Sequence, residues 1–309
     1  MSMPPIRRWA KHVIEGVLLG LGIARGCRLR FRGRGVILAY HNVIPDDAKP
    51  AGDRSLHLPR REFSAQLECL AETHEVVSLK ALLDQPFSAS SRRPRAAITF
   101  DDAYRGALQF GLSELGKRGF PATVFVTPGL LGNRPFWWDI LAEEYDGVIP
   151  FAIRSRALAM HRGFHDEVLG HEPYDTKRAE RMPAYSRSAN LEELKAAVAH
   201  HDLDVGAHTW SHPNLTKLSD PETCAELNRT REWLAREFPD FLPWLAYPYG
   251  LFNLQSERLT REVYSGGLTL AGGFSAPRLE EDRSRIPRMN IPAGVSLRGF
   301  ELRTAGVFG

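Results

Sequence analysis

Short apolar segments alternate with helical patterns along most of this chain, and this alternation constrains the fold more than any other feature. Val36–Tyr40, Ala96–Phe100 and Ala122–Val126 have the length and composition of buried strands. Between the first two strands, Arg60–Ala71 repeats its apolar residues three and four positions apart, which predicts a helix. Strands that alternate with helices pair in parallel, so we expect an α/β fold, either a barrel or a doubly wound sheet.

The same pattern continues through the second half of the chain. Further strands are predicted at Val76–Val77, Val205–Ala207, Trp244–Tyr247 and Leu268–Leu270, and further helices at Tyr104–Leu115, Glu222–Phe238 and Gln255–Tyr264. The 309 residues, 43% of them hydrophobic, can bury a large core, and three widely spaced cysteines offer no disulfide framework. No repeat or linker divides the chain, so residues 35–309 are expected to form one domain.

The first 34 residues are strongly basic. Eight arginines and lysines lie there, opposed only by Glu15, and the apolar segment Val13–Ala24 runs between them. This segment is shorter than the ~20 apolar residues that span a bilayer, and it lacks a clear signal-peptide cleavage site. Residues 1–34 are therefore either a basic amphipathic element on an anionic membrane surface or a first helix packed on the domain. The expected location is cytoplasmic or peripheral at the membrane.

One stretch departs from the alternating pattern. Residues 142–190 are rich in His, Arg, Asp and Glu, have few apolar runs, and are predicted to form a helical insertion. This insertion is either a lid that shapes the substrate site or a solvated excursion without a part in the chemistry. The aromatic cluster Phe136–Trp138 immediately before it favours a role near a cleft, because exposed tryptophans usually serve binding.

Two adjacent carboxylates end a predicted strand at Thr99–Asp102 (Thr-Phe-Asp-Asp). In a parallel barrel the carboxyl ends of the strands form the active face. Neighbouring strand residues point to opposite sides, so Asp101 and Asp102 can approach one point only where the strand gives way to a loop. Such a pair repels unless a cation or a proton lies between the carboxylates. Either one binds a metal while the other acts as a base, or the pair caps the next helix.

Two histidines four residues apart follow another predicted strand, in His208–His212 (His-Thr-Trp-Ser-His). At this spacing both imidazoles lie on one face of a helical turn and can share a metal ion. Pro213 then restricts the chain. Together with an aspartate from Thr99–Asp102, the histidines predict a His₂Asp site with open positions, the composition of a hydrolytic metal centre.

A third polar loop, Tyr247–Gly250 (Tyr-Pro-Tyr-Gly), also follows an apolar strand directly. Its proline and glycine predict a tight loop. A backbone N–H in such a loop can serve as an oxyanion donor. The same sequence is also compatible with a loop that only packs.

In this order the three motifs resemble those of the polysaccharide deacetylases, the NodB-homology or carbohydrate esterase 4 group. The resemblance covers roughly Val36–Asn290, and Leu38–Val43 is similar to the first strand of many such enzymes. It implies a distorted (β/α) barrel of about seven strands, here with the helical insertion. It also implies a metal-dependent hydrolase that removes acetyl groups from N-acetylated sugars of a polysaccharide or lipid-linked glycan, using an aspartate base and a metal-bound water.

The resemblance also implies roles for individual residues. Asp101 matches the catalytic base. Asp102, His208 and His212 match the metal ligands, most often for Zn²⁺, although two imidazoles and a carboxylate do not choose sharply among divalent metals. The backbone of Tyr249 matches the oxyanion donor, and its ring lines the sugar site. The other candidates are Trp138, Tyr247 and Pro248 for substrate binding, and Thr209 or Ser211 to brace the metal loop.

Four features depart from the family's pattern. Ala103 stands where a glycine usually follows the acidic pair, and Ala246 stands where an arginine often orients the catalytic aspartate. Arg288 is the candidate replacement for that arginine, the alternative being a surface salt-bridge residue. No histidine follows His212, so the late general-acid histidine is missing. His41 is the candidate for that role or for substrate binding, unless it is a structural histidine. Finally, the insertion is longer than in compact members, which leaves the substrate open.

We therefore expect a deacetylase whose partner is an acetylated glycan. Nucleic acid is not an expected partner, because a net charge of +3 is too mild for a nucleic-acid-binding surface. The basic residues 1–34 favour an acidic or membrane-bound glycan and peripheral contact with the membrane. Two alternatives stay open: an O-acetyl esterase or cyclic amide hydrolase on the same scaffold, and a catalytically weak glycan-binding protein. Asp101 argues against the latter, because a pure binder needs no base.

Overall fold

The computed structural model describes residues 5–84, 92–274 and 283–307, with side chains from Trp9 onward. Residues 1–4 of the predicted segment 1–34, and the side chains of Arg7 and Arg8, lie outside this description. The described strands are β1 (Gly35–Tyr40), β2 (Asn42–Ile44), β3 (His57–Pro59), β4 (Glu75–Val76), β5 (Arg95–Asp101), β6 (Ala122–Val126), β7 (Leu203–Ala207), β8 (Trp244–Ala246), β9 (Gly266–Thr269), β10 (Ile286–Pro287) and β11 (Met289–Asn290). The described α-helices are α1 (Pro5–Gly20), α2 (Ile23–Arg30), α3 (Arg60–Thr73), α4 (Leu79–Asp84), α5 (Leu112–Gly116), α6 (Trp137–Glu144), α7 (Phe151–Ala159), α8 (His165–His171), α9 (Thr176–Glu180), α10 (Leu191–His200), α11 (Asp220–Glu237), α12 (Leu254–Val263) and α13 (Leu297–Thr304).

The main sheet is parallel and nearly closed. Its strand order is β10-β9-β8-β7-β6-β5-β1-β11, with β4 pairing beside the start of β5. β10 pairs with β9 at one edge and β11 pairs with β1 at the other, yet only Arg288 separates β10 from β11 in the chain. The segment 286–290 therefore joins the two edges. This confirms the predicted distorted barrel, in which six longer strands and the closing segment form the wall and helices surround it.

Alternate residues of the strands face two different hydrophobic cores, because successive side chains of a strand point to opposite sides. Phe100 of β5 belongs to the larger core, between the sheet and the helices. Ala97, three residues earlier on β5, belongs to a smaller inner core with Ile37 and Phe125. Asp101 continues the face of Ala97, so the strand periodicity places its carboxylate inside the barrel, at the carboxyl end of β5.

The insertion is helical, as predicted: residues 142–190 include α7, α8 and α9. The expectation of exposed tryptophans in Phe136–Trp138 is wrong. The three side chains are at most 3% exposed, because they pack in the larger core beneath the insertion. Stacking of Phe136 on Trp138, with ring centroids 4.7 Å apart, accounts for part of this burial.

The first two helices pack beside the end of the chain. Glu15 of α1 is buried, and its Oε2 accepts a hydrogen bond of 2.7 Å from Ser296 Oγ, immediately before α13. Ala24 of α2 packs with Leu302 and Ala305. Among the helices that the structure describes, none combines the length and the apolar composition needed to cross a membrane.

His74 joins the end of α3 to the end of α13. Its Nε2 donates a hydrogen bond of 3.1 Å to the carbonyl oxygen of Thr304, and the side chain is buried. Burial lowers the pKa of His74 from 6.5 to about 4, because desolvation of the charged ring outweighs the favourable bond to Thr304.

We predict that the free energy of unfolding falls by roughly 2–3 kcal/mol through His74 as the pH is lowered from 6.5 to 4. The unfolded chain binds a proton at His74 over this range while the native chain does not. The contribution of His74 to the free energy of unfolding is therefore complete above pH 6.5 and is lost as the pH falls towards 4. Chemical denaturation of His74→Gln at several pH values should show a weaker pH dependence. His200→Gln, which removes an exposed imidazole, is the control. Equal pH dependence in the wild type and His74→Gln would contradict this assignment.

Candidate active site

The three sequence motifs meet at one cavity of about 350 Å³ in the mouth of the barrel. Because β5, β7 and β8 run in parallel, the loops that follow them lie at the same end of the barrel. The motif residues in the cavity wall are Asp101, Asp102, His208, His212 and Tyr249. The wall also contains His41, Asp53, Trp138, Arg154, Leu158 and Asn290.

Asp102, His208 and His212 form a buried cluster with the geometry of a metal site. The two Nε2 atoms are 3.1 Å apart, and Asp102 Oδ1 lies 3.7 Å from His208 Nε2 and 3.4 Å from His212 Nε2. Tetrahedral zinc with bonds of about 2.0–2.2 Å separates its ligand atoms by about 3.3–3.6 Å. Asp102 Oδ1 is buried without a hydrogen-bond partner, which is costly for a carboxylate oxygen unless it binds a cation. The donor set therefore fits a divalent metal.

The protonation of His208 is fixed by its backbone partner. His208 Nδ1 lies 2.7 Å from the carbonyl oxygen of Ala246, which can only accept, so Nδ1 carries the hydrogen and the Nε2 lone pair faces the cluster. Burial lowers the pKa of His208 to about 4, so the ring is neutral at neutral pH. For Asp102, burial and the charge of Asp101 both raise the pKa, and a bound cation would offset both effects.

Arg288 holds Asp101 by a bidentate ion pair inside the barrel. Its two terminal nitrogens donate to Asp101 Oδ1 at 2.7 Å and Oδ2 at 2.8 Å, and one of them also donates to Thr99 Oγ1 at 3.2 Å. Arg288 is 0% exposed, so the alternative of a surface salt-bridge residue does not describe it. Burial alone would raise the pKa of Asp101, but Arg288 and His208 together hold it well below its ordinary value.

Arg288 lies beside the inner core that contains Ala246. The small Ala246 side chain belongs to the inner core with Phe125, and the Arg288 guanidinium lies over the Phe125 ring at 5.2 Å. The closing segment 286–290 thus supplies from another strand the cation that the motif residue Ala246 lacks.

Left-handed backbone conformations cluster around the cavity. Among the described residues, eight other than glycine have positive φ. Five of these eight belong to the three motif loops: Asp102 (φ 68°), Ala103 (52°), Thr209 (64°), His212 (58°) and Tyr249 (58°). Each such residue costs about 1–3 kcal/mol and persists only where surrounding contacts fix it. Ala103 adopts the conformation that a glycine would favour, so the loop forms without glycine at this position.

Aromatic rings build the wall beside His212. The Trp138 and Tyr249 rings lie 4.8 Å and 4.5 Å from the His212 ring, centroid to centroid. The Tyr249 hydroxyl accepts a hydrogen bond of 3.2 Å from Trp137 Nε1 and lies 3.2 Å from the His212 carbonyl oxygen. Its ring is therefore held in place at the cavity.

The remaining predicted residues divide into two groups. His41 follows β1 and lines the cavity, and burial lowers its pKa. Tyr247 and Pro248 are buried, and they do not appear among the residues that form the cavity wall. The Tyr247 ring stacks on Phe252 instead, with centroids 5.3 Å apart.

Glu226 of α11 braces the histidine loop and was not predicted. Its carboxylate accepts two hydrogen bonds from Ser211, at 2.9 Å from the backbone nitrogen and 2.6 Å from Oγ. Within the loop, the His212 N–H donates to Thr209 Oγ1 at 3.1 Å. Thr209 and Ser211 thus both contribute contacts that shape the loop. On a strongly charged helix, nothing in the sequence distinguishes Glu226 from its neighbours.

A second network that was not predicted centres on Asp139 of α6. Asp139 is fully buried and accepts hydrogen bonds from Tyr104 Oη at 2.6 Å and from His57 Nε2 at 3.1 Å. The Tyr104 hydroxyl accepts in turn from Trp138 Nε1 at 2.7 Å. This chain of hydrogen bonds fixes the Trp138 ring against His212. The sequence offered no sign of it, because its members are far apart along the chain.

The insertion contributes directly to the cavity wall. Arg154 and Leu158, both on α7, line the cavity, and the Arg154 guanidinium donates to the carboxylate of Asp53, which lines it from another loop. Of the two interpretations of residues 142–190, this placement agrees with an element that shapes the site.

The chain is similar to known deacetylases in sequence and in fold. The sequence profile described as polysaccharide deacetylase matches residues 88–264, more than half of the chain. A comparison with curated proteins finds no match.

Solved structures that resemble the chain have the same fold at low sequence identity. The deacetylase PplD from Streptococcus pyogenes in complex with acetate is 17% identical with a TM-score of 0.59, and the match covers 88% of this chain and 98% of that chain. IcaB from Ammonifex degensii is 19% identical with a TM-score of 0.60, and the match covers 89% of this chain and 98% of that chain. The polysaccharide deacetylase BC0361 from Bacillus cereus is 16% identical with a TM-score of 0.62, and the match covers 88% of this chain and 69% of that chain. At these identities the likeness concerns the fold.

We predict that Glu226→Gln weakens the binding of Zn²⁺ to the Asp102–His208–His212 cluster by about tenfold to a hundredfold, because the neutral amide offers Ser211 one acceptor oxygen in place of two charged ones and loosens the loop. Competition with a chromophoric chelator measures this affinity. Glu232→Gln, on the exposed side of the same helix, is the matched control and should bind Zn²⁺ as the wild type does. Unchanged affinity in Glu226→Gln would show that the loop keeps its shape without this contact.

Proposed function

The chain belongs to the polysaccharide deacetylase family, and we propose that it is a metal-dependent hydrolase that removes acetyl groups from an N-acetylated glycan at the barrel mouth. The observation that carries this proposal is the buried Asp101–Arg288 pair beside the Asp102–His208–His212 cluster. It combines a carboxylate held ionised with a donor set for a metal, and these are two components of metal-assisted amide hydrolysis.

The proposed metal ligands are Asp102 Oδ1, His208 Nε2 and His212 Nε2. These residues would hold a divalent ion, which we propose to be Zn²⁺ and which would supply Lewis-acid polarisation of the acetyl carbonyl and a lowered pKa for water. Three protein ligands leave room for substrate, as in other catalytic zinc sites. The hydrogen bond from His208 Nδ1 to Ala246 keeps Nε2 free for this role.

Asp101 is the proposed base. Its carboxylate lies 4.0 Å from His208 Nε2, and Arg288 fixes the orientation of both oxygens. Each carboxylate oxygen has a second lone pair, so the pair with Arg288 leaves Asp101 able to accept a proton from water. Since its pKa lies well below the ordinary value, Asp101 stays ionised and ready to accept.

The acetyl oxygen and the leaving amine need partners as well. We assign the backbone N–H of Tyr249 as the oxyanion donor, because the left-handed conformation of Tyr249 turns this loop at the cavity wall. His41 lines the same cavity and is the candidate to pass a proton to the leaving amine or to contact the sugar. The Trp138 and Tyr249 rings form the apolar side on which a sugar ring can pack.

A solved structure of similar fold supports acetate as the product. PplD, a deacetylase, was crystallised in complex with acetate, which is the acid released when an acetamide or an acetate ester is hydrolysed.

We predict that the zinc-loaded protein releases acetate from an N-acetylated glycan and that Asp101→Asn lowers the rate by about 10²–10⁴-fold. A panel of N- and O-acetylated glycans, with acetate measured enzymatically, tests this. Asp204→Asn, on β7 outside the cavity, should keep the activity. Release only from O-acetylated glycans would favour an esterase. Glycan binding without any release would favour a binding protein and overturn the proposal.

We further predict that Arg288→Lys lowers kcat about tenfold to a hundredfold, because a lysine cannot hold both Asp101 oxygens. Losing the bidentate guanidinium raises the pKa of Asp101, so the acidic limb of the profile of kcat/KM against pH moves to higher pH. Arg285→Lys, three residues earlier and paired with Glu257, is the control. An unshifted acidic limb would contradict the assignment of Asp101 and Arg288 as base and positioning residue.

A further inference from the structure

Helix α1 presents an apolar stripe to solvent. Trp9 is 69% exposed and Leu21 is 71% exposed, and the residues between them continue the row. The stripe consists of Trp9, Val13, Ile14 and Val17 on α1, and of Leu21 in the turn that follows, whose N–H still bonds the Val17 carbonyl oxygen in helical fashion. At 100° per residue these five side chains fall within an arc of about 140°, so they form one continuous face.

The opposite face of α1 holds the helix on the domain. Glu15 is buried and accepts a hydrogen bond from Ser296, while Leu18 and Leu19 pack against the small core formed with α13. The apolar stripe is therefore not the side that packs on the barrel. Because one side of α1 packs on the domain while an apolar side faces solvent, the solvent-facing side has the character of an interaction surface.

Basic residues border the stripe. Arg25, Arg30, Arg32 and Arg34 are exposed on α2 and the turn that follows it, and Lys11 lies on α1 itself. Glu15, the acidic residue among the first 34, is buried against the domain, so the solvent-exposed surface of these two helices carries positive charge. An exposed apolar face that contains a tryptophan and is bordered by arginines matches the interfacial region of an anionic bilayer.

We propose that the apolar stripe of α1 and the basic residues of α2 dock the protein on an anionic lipid surface. The stripe lies in the headgroup region with Trp9 inserted, and the arginines contact lipid phosphates. A second copy of the chain fits this surface poorly, because a symmetric contact would bring the arginines of both copies together. Docking at this surface does not depend on the proposed hydrolysis.

Vesicle sedimentation of the full chain tests this surface. We expect the protein to sediment with vesicles of phosphatidylcholine and phosphatidylglycerol, to bind pure phosphatidylcholine more weakly, and to lose binding as salt is raised. Val13→Glu/Val17→Glu should weaken binding by roughly tenfold or more. The control is Phe151→Glu/Leu254→Glu, which makes the same charge change at apolar residues 85% and 78% exposed elsewhere.

The fluorescence of Trp9 distinguishes insertion of the stripe from non-specific adsorption to vesicles. Of the six tryptophans, the other five are buried or half-buried, so quenching by brominated lipids should report Trp9 and vanish in Trp9→Phe. Acetate release from a soluble glycan should be unchanged in Val13→Glu/Val17→Glu, which separates this test from that of the catalytic proposal.

Either of two results would overturn the docking proposal. One is equal sedimentation of the wild type and Val13→Glu/Val17→Glu, with Trp9 unquenched. The other is self-association in sedimentation velocity, without vesicles, that Val13→Glu/Val17→Glu abolishes; this would assign the stripe to a second copy of the chain.

Discussion

The ion pair between Arg288 and Asp101 connects the closure of the barrel to its chemistry. Arg288 lies between the two short strands that pair with opposite edges of the sheet, so the segment that closes the barrel also directs this guanidinium inward. Both charges are fully buried, and each is tolerable only because the other is present. A barrel that failed to close would leave Asp101 as an isolated buried carboxylate, whose pKa would rise until it became neutral. The closed fold and an ionised Asp101 therefore require each other.

Around this pair, the motif loops are held in unfavourable conformations by contacts from other elements of the fold. Glu226 of α11 fixes Ser211, Ala246 of β8 fixes the His208 ring, and Trp137 of α6 binds the Tyr249 hydroxyl. Each brace comes from an element that packs in a hydrophobic core, so core stability compensates the backbone strain at the site. The same braces keep the polar groups at fixed distances, which a site that stabilises developing charge requires.

Sequence periodicity predicted most strands of the barrel, and the three motifs supplied Asp101, Asp102, His208, His212 and Tyr249 of the cavity wall. Periodicity alone left open whether the sheet closes, because the closing strands Ile286–Pro287 and Met289–Asn290 have two residues each and no detectable periodicity. The barrel was predicted from the family resemblance instead. Arg288 was named as a candidate, but its partner lies 187 positions away and only the fold brings them together. Glu226 and Asp139 were missed because their role depends on partners distant along the chain. Burial of Phe136–Trp138 was missed because the sequence predicts the insertion but not that its helices pack over these rings.

Two sets of structural elements build the cavity wall, and their difference bears on specificity. The metal cluster and Asp101 come from strand ends, where the barrel fixes their positions. Arg154 and Leu158 come from the insertion, and Asp53 comes from the loop between β2 and β3. The Asp53–Arg154 ion pair joins these two peripheral elements across the cavity wall, and the Asp139 network ties the start of the insertion to Trp138. A change in the insertion can therefore alter the shape and charge of the cavity while Asp101 and the Asp102–His208–His212 cluster stay in place, because loops vary more readily than the barrel that supports them.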